Sequence, residues 1–244
     1  MRIAVSSDWH GKPPMKKEDL DTINSCDLLL LAGDIFEYHD FERNTPDKLC
    51  QFFIDLKNNG GPKVIMTPGN HDIHIERGWL DRHPEEAYHK TVTLQRSRAP
   101  VSVQYLKQRF AITCLINESV EVDGLTIFGT PWTPDFYNWA FMDKDENLLE
   151  RYCKMPDKAD IVLSHGPPKT GFSTLDVINH GNGEHVGSAS LTQAILMKCP
   201  KYLFCGHIHS GSHISTMIGQ TCCCNVSLLD EAYNQYYPVY VLEL

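Results

Sequence analysis

Within its 244 residues the chain has no apolar run near the roughly 18 residues that a membrane-spanning helix needs. It is short of positive charge. Its 22 Lys and Arg stand against 31 Asp and Glu, a formal net charge of −9. Broad, sequence-independent nucleic-acid binding rests on a basic surface, so that class is disfavoured; bound divalent cations would still reverse the field locally. No CxxC pair occurs among the nine cysteines, which removes the usual mark of a closed thiolate zinc site. Without an export signal they read as free thiols, and the run Cys222, Cys223, Cys224 reads as small apolar residues of a buried strand. The opening MRIAVSSDWHG turns polar too soon for a signal peptide, so the expectation is a soluble, cytoplasmic protein with no membrane partner. Internal repeats and low-complexity tracts are absent, and 1–244 is expected to form a single domain.

What is present is a repeated shape. MRIAVSSD, CDLLLLAGD (26–34), PKVIMTPGNHD (62–72), ADIVLSHGPP (159–168) and KYLFCGHIHSG (201–211) are each an apolar run of strand length ending in Gly, Pro or Ser and then polar residues. Runs apolar on both faces belong to a sheet covered on both sides. Helices are expected over 45–61, with Thr45 as cap and Pro46 in the first turn, and over 143–155 and 188–198. ESVEVDGLTIFG (118–129) reads as a hairpin turning at Asp123-Gly124, and the last third reads as strand-rich. Residues at about 73–117 are polar, basic and irregular, and are expected to form an insertion or lid. The pattern is α/β, becoming β-rich toward the end.

In open α/β sheets, ligands bind beyond the carboxyl ends of the strands. Those ends carry Asp8 and His10, then Asp34, then Asn70, His71 and Asp72, then His165, then His207 and His209. In extended chain, residues i and i+2 face one side, so Asp8 with His10 and His207 with His209 can face one centre. A lone DxH or HxH is a weak signal, but five such segments at five strand ends are hard to explain by chance. The donors are Asp, Asn and His without thiolate, which suits Mn, Fe or Zn. Seven candidate ligands (Asp8, His10, Asp34, Asn70, His165, His207, His209) exceed the need of one ion and imply two divalent metal ions. Two ions ~3.5–4 Å apart can clamp an in-line displacement at phosphorus.

D-x-H at 8–10, G-D at 33–34, G-N-H-D at 69–72, the isolated His165 and G-H-x-H at 206–209, in that order, resemble the calcineurin-like metallophosphoesterase superfamily. IFGTPWTP (127–134), SHGPP (164–168) and CNVS further resemble its branch of small metallophosphoesterase-domain proteins. The resemblance implies a four-layer α/β fold, a two-sheet β-sandwich flanked by helices. It also implies that Asp8, His10 and His209 hold one metal ion, that Asn70, His165 and His207 hold a second, and that Asp34 bridges them. A metal-bridging hydroxide would attack phosphorus in line, His71 would serve the leaving group, and Asp72 would orient His71. Some members of that branch lack the first histidine of G-H-x-H; its retention here as His207 implies a complete site. Trp9, between Asp8 and His10, is large for its place and either packs in the core or lines the pocket. It joins Trp132 as a candidate substrate-binding residue, with Phe136, Tyr137 and Trp139 nearby in sequence.

The expected function is a dimetal phosphodiesterase acting on a small nucleotide-like phosphate ester. IFEYHD follows Asp34 where protein phosphatases of this superfamily have Asp-Arg-Gly, which disfavours a phosphoprotein substrate. A phosphomonoesterase on nucleotides or small metabolites is the alternative. A nuclease would need the basic residues Arg77, Arg82, Lys90, Arg96, Arg98, Lys107 and Arg109 to form a patch, and these read instead as a solvated face. A non-catalytic metal-binding module would have no use for His71.

Overall fold

A computed structural model describes residues 1–36, 48–73, 75, 76, 79, 102–178 and 183–244. Five of the strands follow directly from the apolar runs: β1 (Arg2–Ser6), β2 (Leu28–Ala32), β3 (Lys63–Thr67), β9 (Ile161–Ser164) and β10 (Tyr202–Cys205). The first sheet has the order β13-β1-β2-β3-β4, in which β4 is Ile112–Cys114 and β13 is Tyr240–Glu243. Its strands β1 to β4 run parallel, and β13 is antiparallel at the edge. The second sheet has the order β11-β12-β10-β9-β6-β5. Here β5 is Glu118–Val122, β6 is Leu125–Thr130, β11 is Ser215–Ile218 and β12 is Thr221–Asn225. The short strands β7 (Thr133–Pro134) and β8 (Met142–Asp143) pair separately.

The two sheets pack face to face. Ile3, Val5, Leu28, Leu30 and Ala32 of the first meet Ile127, Ile161, Leu163, Phe204 and Cys224 of the second in one core cluster. The intervening residues Ala4, Leu29, Leu31, Val64 and Met66 point the other way, into a second cluster shared with the helices. Among the described residues there are five α-helices: α1 (Lys17–Asn24), α2 (Lys48–Asn58), α3 (Val103–Phe110), α4 (Asp145–Tyr152) and α5 (Ala189–Lys198). The fold is thus mixed α/β, a two-sheet sandwich flanked by helices.

The β5–β6 hairpin turns at Asp123 (φ 51°) and Gly124 (φ 85°), the paired left-handed conformation of a tight two-residue loop. Cys222, Cys223 and Cys224 lie in β12 as free thiols. Thr45 and Pro46 lie outside the described residues, as does most of the expected insertion. Its described end departs from expectation. Residues 103–110 form α3, capped by the Ser102 hydroxyl, and 112–114 pair with β3 and extend the first sheet.

Candidate metal centre

All the parallel strands that carry a candidate ligand end at the same crevice. Asp8 and His10 follow β1, Asp34 follows β2, Asn70 to Asp72 follow β3, His165 follows β9, and His207 and His209 follow β10. The first three groups come from one sheet and the last two from the other, so the site spans the seam of the sandwich.

The reason they converge differs from the sequence expectation. Asp8 (φ 55°), His10 (φ 42°), Asp34 (φ 53°) and His207 (φ 67°) are left-handed, and His209 opens a 3₁₀ turn over 209–211. Neither DxH nor HxH is extended. Tight turns aim the side chains, at a cost in backbone strain of the kind that concentrates at functional sites. The turns are fixed by neighbours. The N–H of Asp8 donates to Gly33 O, and those of Trp9 and His10 donate to Asp34 O. The His207 N–H donates to both oxygens of Asp8, at 3.0 and 3.1 Å.

Three overlapping clusters result: Asp8, His10, His209; His10, Asp34, His71; and Asp34, His165, His207. In each, one ligand atom per residue lies within 4.8 Å of the others. Asn70 belongs to the same place, its Oδ1 lying 2.8 Å from His165 Nε2. Two tautomers are set from outside. His165 Nδ1 donates to Ala32 O at 3.0 Å and His209 Nδ1 donates to Asp230 O at 2.9 Å, which turns each Nε2 toward the carboxylates. His165 Nε2 is 3.3 Å from Asp34 Oδ2, and His209 Nε2 is 3.4 Å from Asp8 Oδ1.

The donor set fits divalent cations on two grounds. Both ring nitrogens of His10, which is 2% exposed, and the amide nitrogen of Asn70 are buried without a hydrogen-bond partner. Native interiors seldom leave such groups unpaired. Further, the carboxylate oxygens of Asp8 and Asp34 and the imidazole nitrogens share one focus, which is where a cation is drawn.

The electrostatics agree. Burial works against charge on every group here, yet Asp34 and Asp8 carry the His165 imidazole up to about 9. Burial likewise opposes charge on His209, but the Asp8 carboxylate beside it brings it to about 9. Asp8 and Asp34, against their burial, are held well below the usual carboxylate range by His209 and His165 respectively. Burial pushes His10 down to about 4, and burial with the nearby His165 pushes His207 down to about 3. Two carboxylates thus stay charged, His10 and His207 stay neutral with lone pairs to offer, and His165 and His209 each hold a proton that a cation would displace.

The expected second-rank residues fare differently. His71 is half-buried and is itself a member of the second cluster. Its N–H donates to Asp34 Oδ1 at 2.8 Å, and its ring lies 4.1 Å from Trp139 and 4.8 Å from His10, centroid to centroid. Asp72 does not reach His71. Its buried carboxylate accepts from the N–H of Gly69 (2.7 Å), Phe36 (2.8 Å) and Ile35 (3.4 Å), tying the loops after β2 and β3 together. Burial, and the charge of Asp34, raise it to about 7. Trp9 lies in the core rather than in a pocket: it is 0% exposed, donates from Nε1 to Ser6 Oγ and stacks on Phe53. Its indole packs beneath α2, against Phe52 and Phe53. Trp132 is also buried, its ring covered by the Arg151 guanidinium at 3.6 Å.

A cavity of about 640 Å³ adjoins the centre, with His207 and His209 in its wall. Phe136 and Tyr233 are the aromatic residues that line it. Phe136 meets the edge of His207, and Tyr233 packs against His10 and His209. Sequence reasoning missed Tyr233 and the support for Asp8. Ser7 and Ser227 hydroxyls donate to Asp8 Oδ2 at 2.6 and 2.8 Å, and the Asn225 amide donates to Ile208 O at 2.9 Å. The only trace of these in the sequence was the segment CNVS.

A sequence model of the family described as calcineurin-like phosphoesterase matches residues 1–211. The human metallophosphoesterase domain-containing protein 1 is 26% identical over 89% of this chain and 64% of its own length. A UPF0046 protein of Caenorhabditis elegans is 29% identical over 86% of this chain and 54% of its own. The chain therefore spans less than two thirds of either relative. Among solved structures, TT1561 of Thermus thermophilus superposes with TM-score 0.51 at 14% identity, covering 98% of this chain and 97% of that one. A phosphopantetheinyl hydrolase from Mycobacterium tuberculosis superposes with TM-score 0.51 at 13% identity, covering 95% and 90%. At such identities these two likenesses concern the fold.

Proposed function

The chain belongs to the calcineurin-like phosphoesterase family, and on that premise we propose that it hydrolyses phosphate esters with two divalent cations, its substrate being a small nucleotide-like phosphodiester. The observation that carries this reading is the run of overlapping ligand clusters, with His10 common to the first two and Asp34 to the last two. In this reading Asp8, His10 and His209 would hold one cation, Asn70, His165 and His207 would hold the other, and Asp34 would serve both. Divalent cations there supply Lewis acidity to a phosphoryl oxygen and a nucleophile derived from water near neutral pH.

The chain's own residues do the remainder. His71, kept in place by Asp34 and by the face of Trp139, gives a proton to the departing oxygen. Ser7 and Ser227 hold the Asp8 carboxylate in one orientation, and Asp230 and Ala32 carbonyls fix the tautomers of His209 and His165. Phe136 and Tyr233 flank the cavity and offer a face to a base.

The preference for a diester rests on charge. The cavity wall carries Asp135, Asp145, Glu184 and Glu231 against Lys169, with no arginine among the described lining residues. A monoester bears nearly two negative charges at neutral pH and a diester one, so this wall repels the monoester more. The test is turnover of bis(p-nitrophenyl) phosphate against p-nitrophenyl phosphate with Mn²⁺. Faster diester turnover, abolished by chelator and restored by metal, is expected. No turnover of either ester by protein shown to contain two equivalents of metal overturns the reading.

A further inference from the structure

The wall of the cavity holds a second histidine–carboxylate pair that the proposed chemistry does not use. His185 lines the cavity together with His207 and His209, and its Nδ1 lies 2.9 Å from Asp176 Oδ1. Asp176 is 0% exposed. It also accepts from the Thr170 hydroxyl (2.7 Å), the Thr170 N–H (3.2 Å) and the Gly187 N–H (3.3 Å). A charged side chain so deeply placed, with four donors gathered round it, is a built feature rather than a surface contact. The Val186 N–H donates to Asp176 O, and the hydroxyl of Ser210, next to the ligand His209, donates to Val177 O at 2.8 Å, which joins this segment to the metal-ligand loop. With Nδ1 committed to Asp176, the free nitrogen of His185 is Nε2, which makes no hydrogen bond among the described residues.

We propose that His185, oriented by Asp176, is a specificity-determining residue whose Nε2 hydrogen-bonds a hydroxyl group on the organic part of the phosphate ester, a ribose-like polyol being the class of group it takes. The chemistry of the wall selects that class. A second anion on the substrate would meet Asp135, Glu184 and Glu231, whereas a hydroxyl can donate to a carboxylate or to the lone pair that His185 Nε2 keeps while Nδ1–H donates to Asp176. Phe136 and Tyr233 supply the flat apolar surface that a furanose or its base packs on. Asp176 is a positioning residue: it fixes the tautomer and direction of the ring and does not itself reach the cavity lining.

The inference rests on the phosphoesterase reading for its kinetic test but has a separate binding test. His185→Ala and His185→Phe are to be assayed on bis(p-nitrophenyl) phosphate and on the p-nitrophenyl esters of uridine 5′-phosphate and of its 2′,3′-dideoxy analogue. The expected result is a rise in KM of tenfold or more for the ribonucleotide ester. The other two esters should change by less than twofold, with kcat little altered throughout. Equal losses on all three esters, or none on any, overturn the proposal. Asp176→Asn should reproduce the selective KM effect, with its melting temperature measured alongside because Asp176 also holds backbone. Independently, uridine titrated into the metal-free protein should shift the His185 imidazole resonances, and His185→Ala should abolish the binding. No shift overturns the inference even if diesters are hydrolysed. A shift without any hydrolysis leaves the inference standing and removes the phosphoesterase reading instead.

Discussion

Four of the candidate ligands have left-handed backbone, and for a non-glycine residue that is a cost met only where surrounding structure enforces it. The enforcement is close packing. A Cβ on Gly206 would run into Asp8 Oδ2 and the Ser7 side chain, and one on Gly33, itself at φ +92°, would strike the His165 ring. Gly206→Ala should therefore push the Asp8 carboxylate out of line. Metal affinity is expected to fall 10–100-fold, the usual scale for disturbing the support of a ligand; titration with Mn²⁺ followed by metal analysis reads it. His71→Ala should do the opposite. Its ring belongs to the second cluster, yet in the proposed reading it handles a proton and holds no metal. A loss of kcat of ~10²–10⁴-fold with metal content unchanged is expected, and a parallel loss of metal would move His71 into the ligand set. At this scale the sequence was legible in its residue types and not in its directions. Asp72 is adjacent to His71 in the chain, but its oxygens turn to three backbone N–H groups that no local pattern announces. Trp9 stands between two ligands, but its left-handed neighbours send it into the core.

Among the elements, what could be read were the segments buried on both faces. β1, β2, β3, β9 and β10 are continuous apolar runs because each is covered by a sheet on one side and helices on the other, so composition alone marks them. Helix α1 was not legible: KEDLDTIN buries only Ile23 and Asp19, and the latter accepts from Gln235 and the Val239 N–H, partners some 220 residues away. β4 was lost inside an irregular stretch because three residues at a sheet edge carry too little periodicity. Element boundaries also carry a pH-dependent contribution. Asp160, just before β9, accepts from Lys201 Nζ at 2.6 Å and from the Thr126 N–H at 2.9 Å, joining β6, β9 and β10. The Lys201 bond and the Thr126 N–H hold its pKa below the ordinary 3.8. A depressed carboxylate stabilises the folded state above its unfolded pKa, and that stabilisation is lost as pH falls through the folded value. Asp160→Asn should thus melt a few degrees below the parent at pH 7, with the gap closing below about pH 4. Calorimetry at pH 7 and pH 3 checks this, and a gap that persists at pH 3 would mean packing rather than charge is responsible.

For the whole molecule, the arrangement of the ligands matters more than their number. Asp8, Asp34 and Asn70 belong to the first sheet, and His165, His207 and His209 to the second, so cations bound in the proposed way fasten the two halves of the sandwich across their seam. In a chain of net charge −9, the same cations offset repulsion among buried carboxylates. Anything that binds the folded state alone stabilises it by RT ln(1 + [L]/Kd), about 2.7 kcal/mol at a hundredfold excess over Kd and about 4.1 at a thousandfold. For a protein of this size each kcal/mol moves the midpoint by roughly 2–4 °C. Loading the protein with Mn²⁺ should therefore raise its melting temperature by roughly 5–15 °C over the chelated form. Because both sheets supply ligands, the whole unfolding transition should move together rather than split. Asp34→Asn, which touches the site between both clusters, should remove most of that rise while leaving the metal-free midpoint near the parent's. A metal-induced shift that survives Asp34→Asn intact would place the cations elsewhere. If one part of the transition moved while the rest stayed fixed, the cations would be held by one sheet alone.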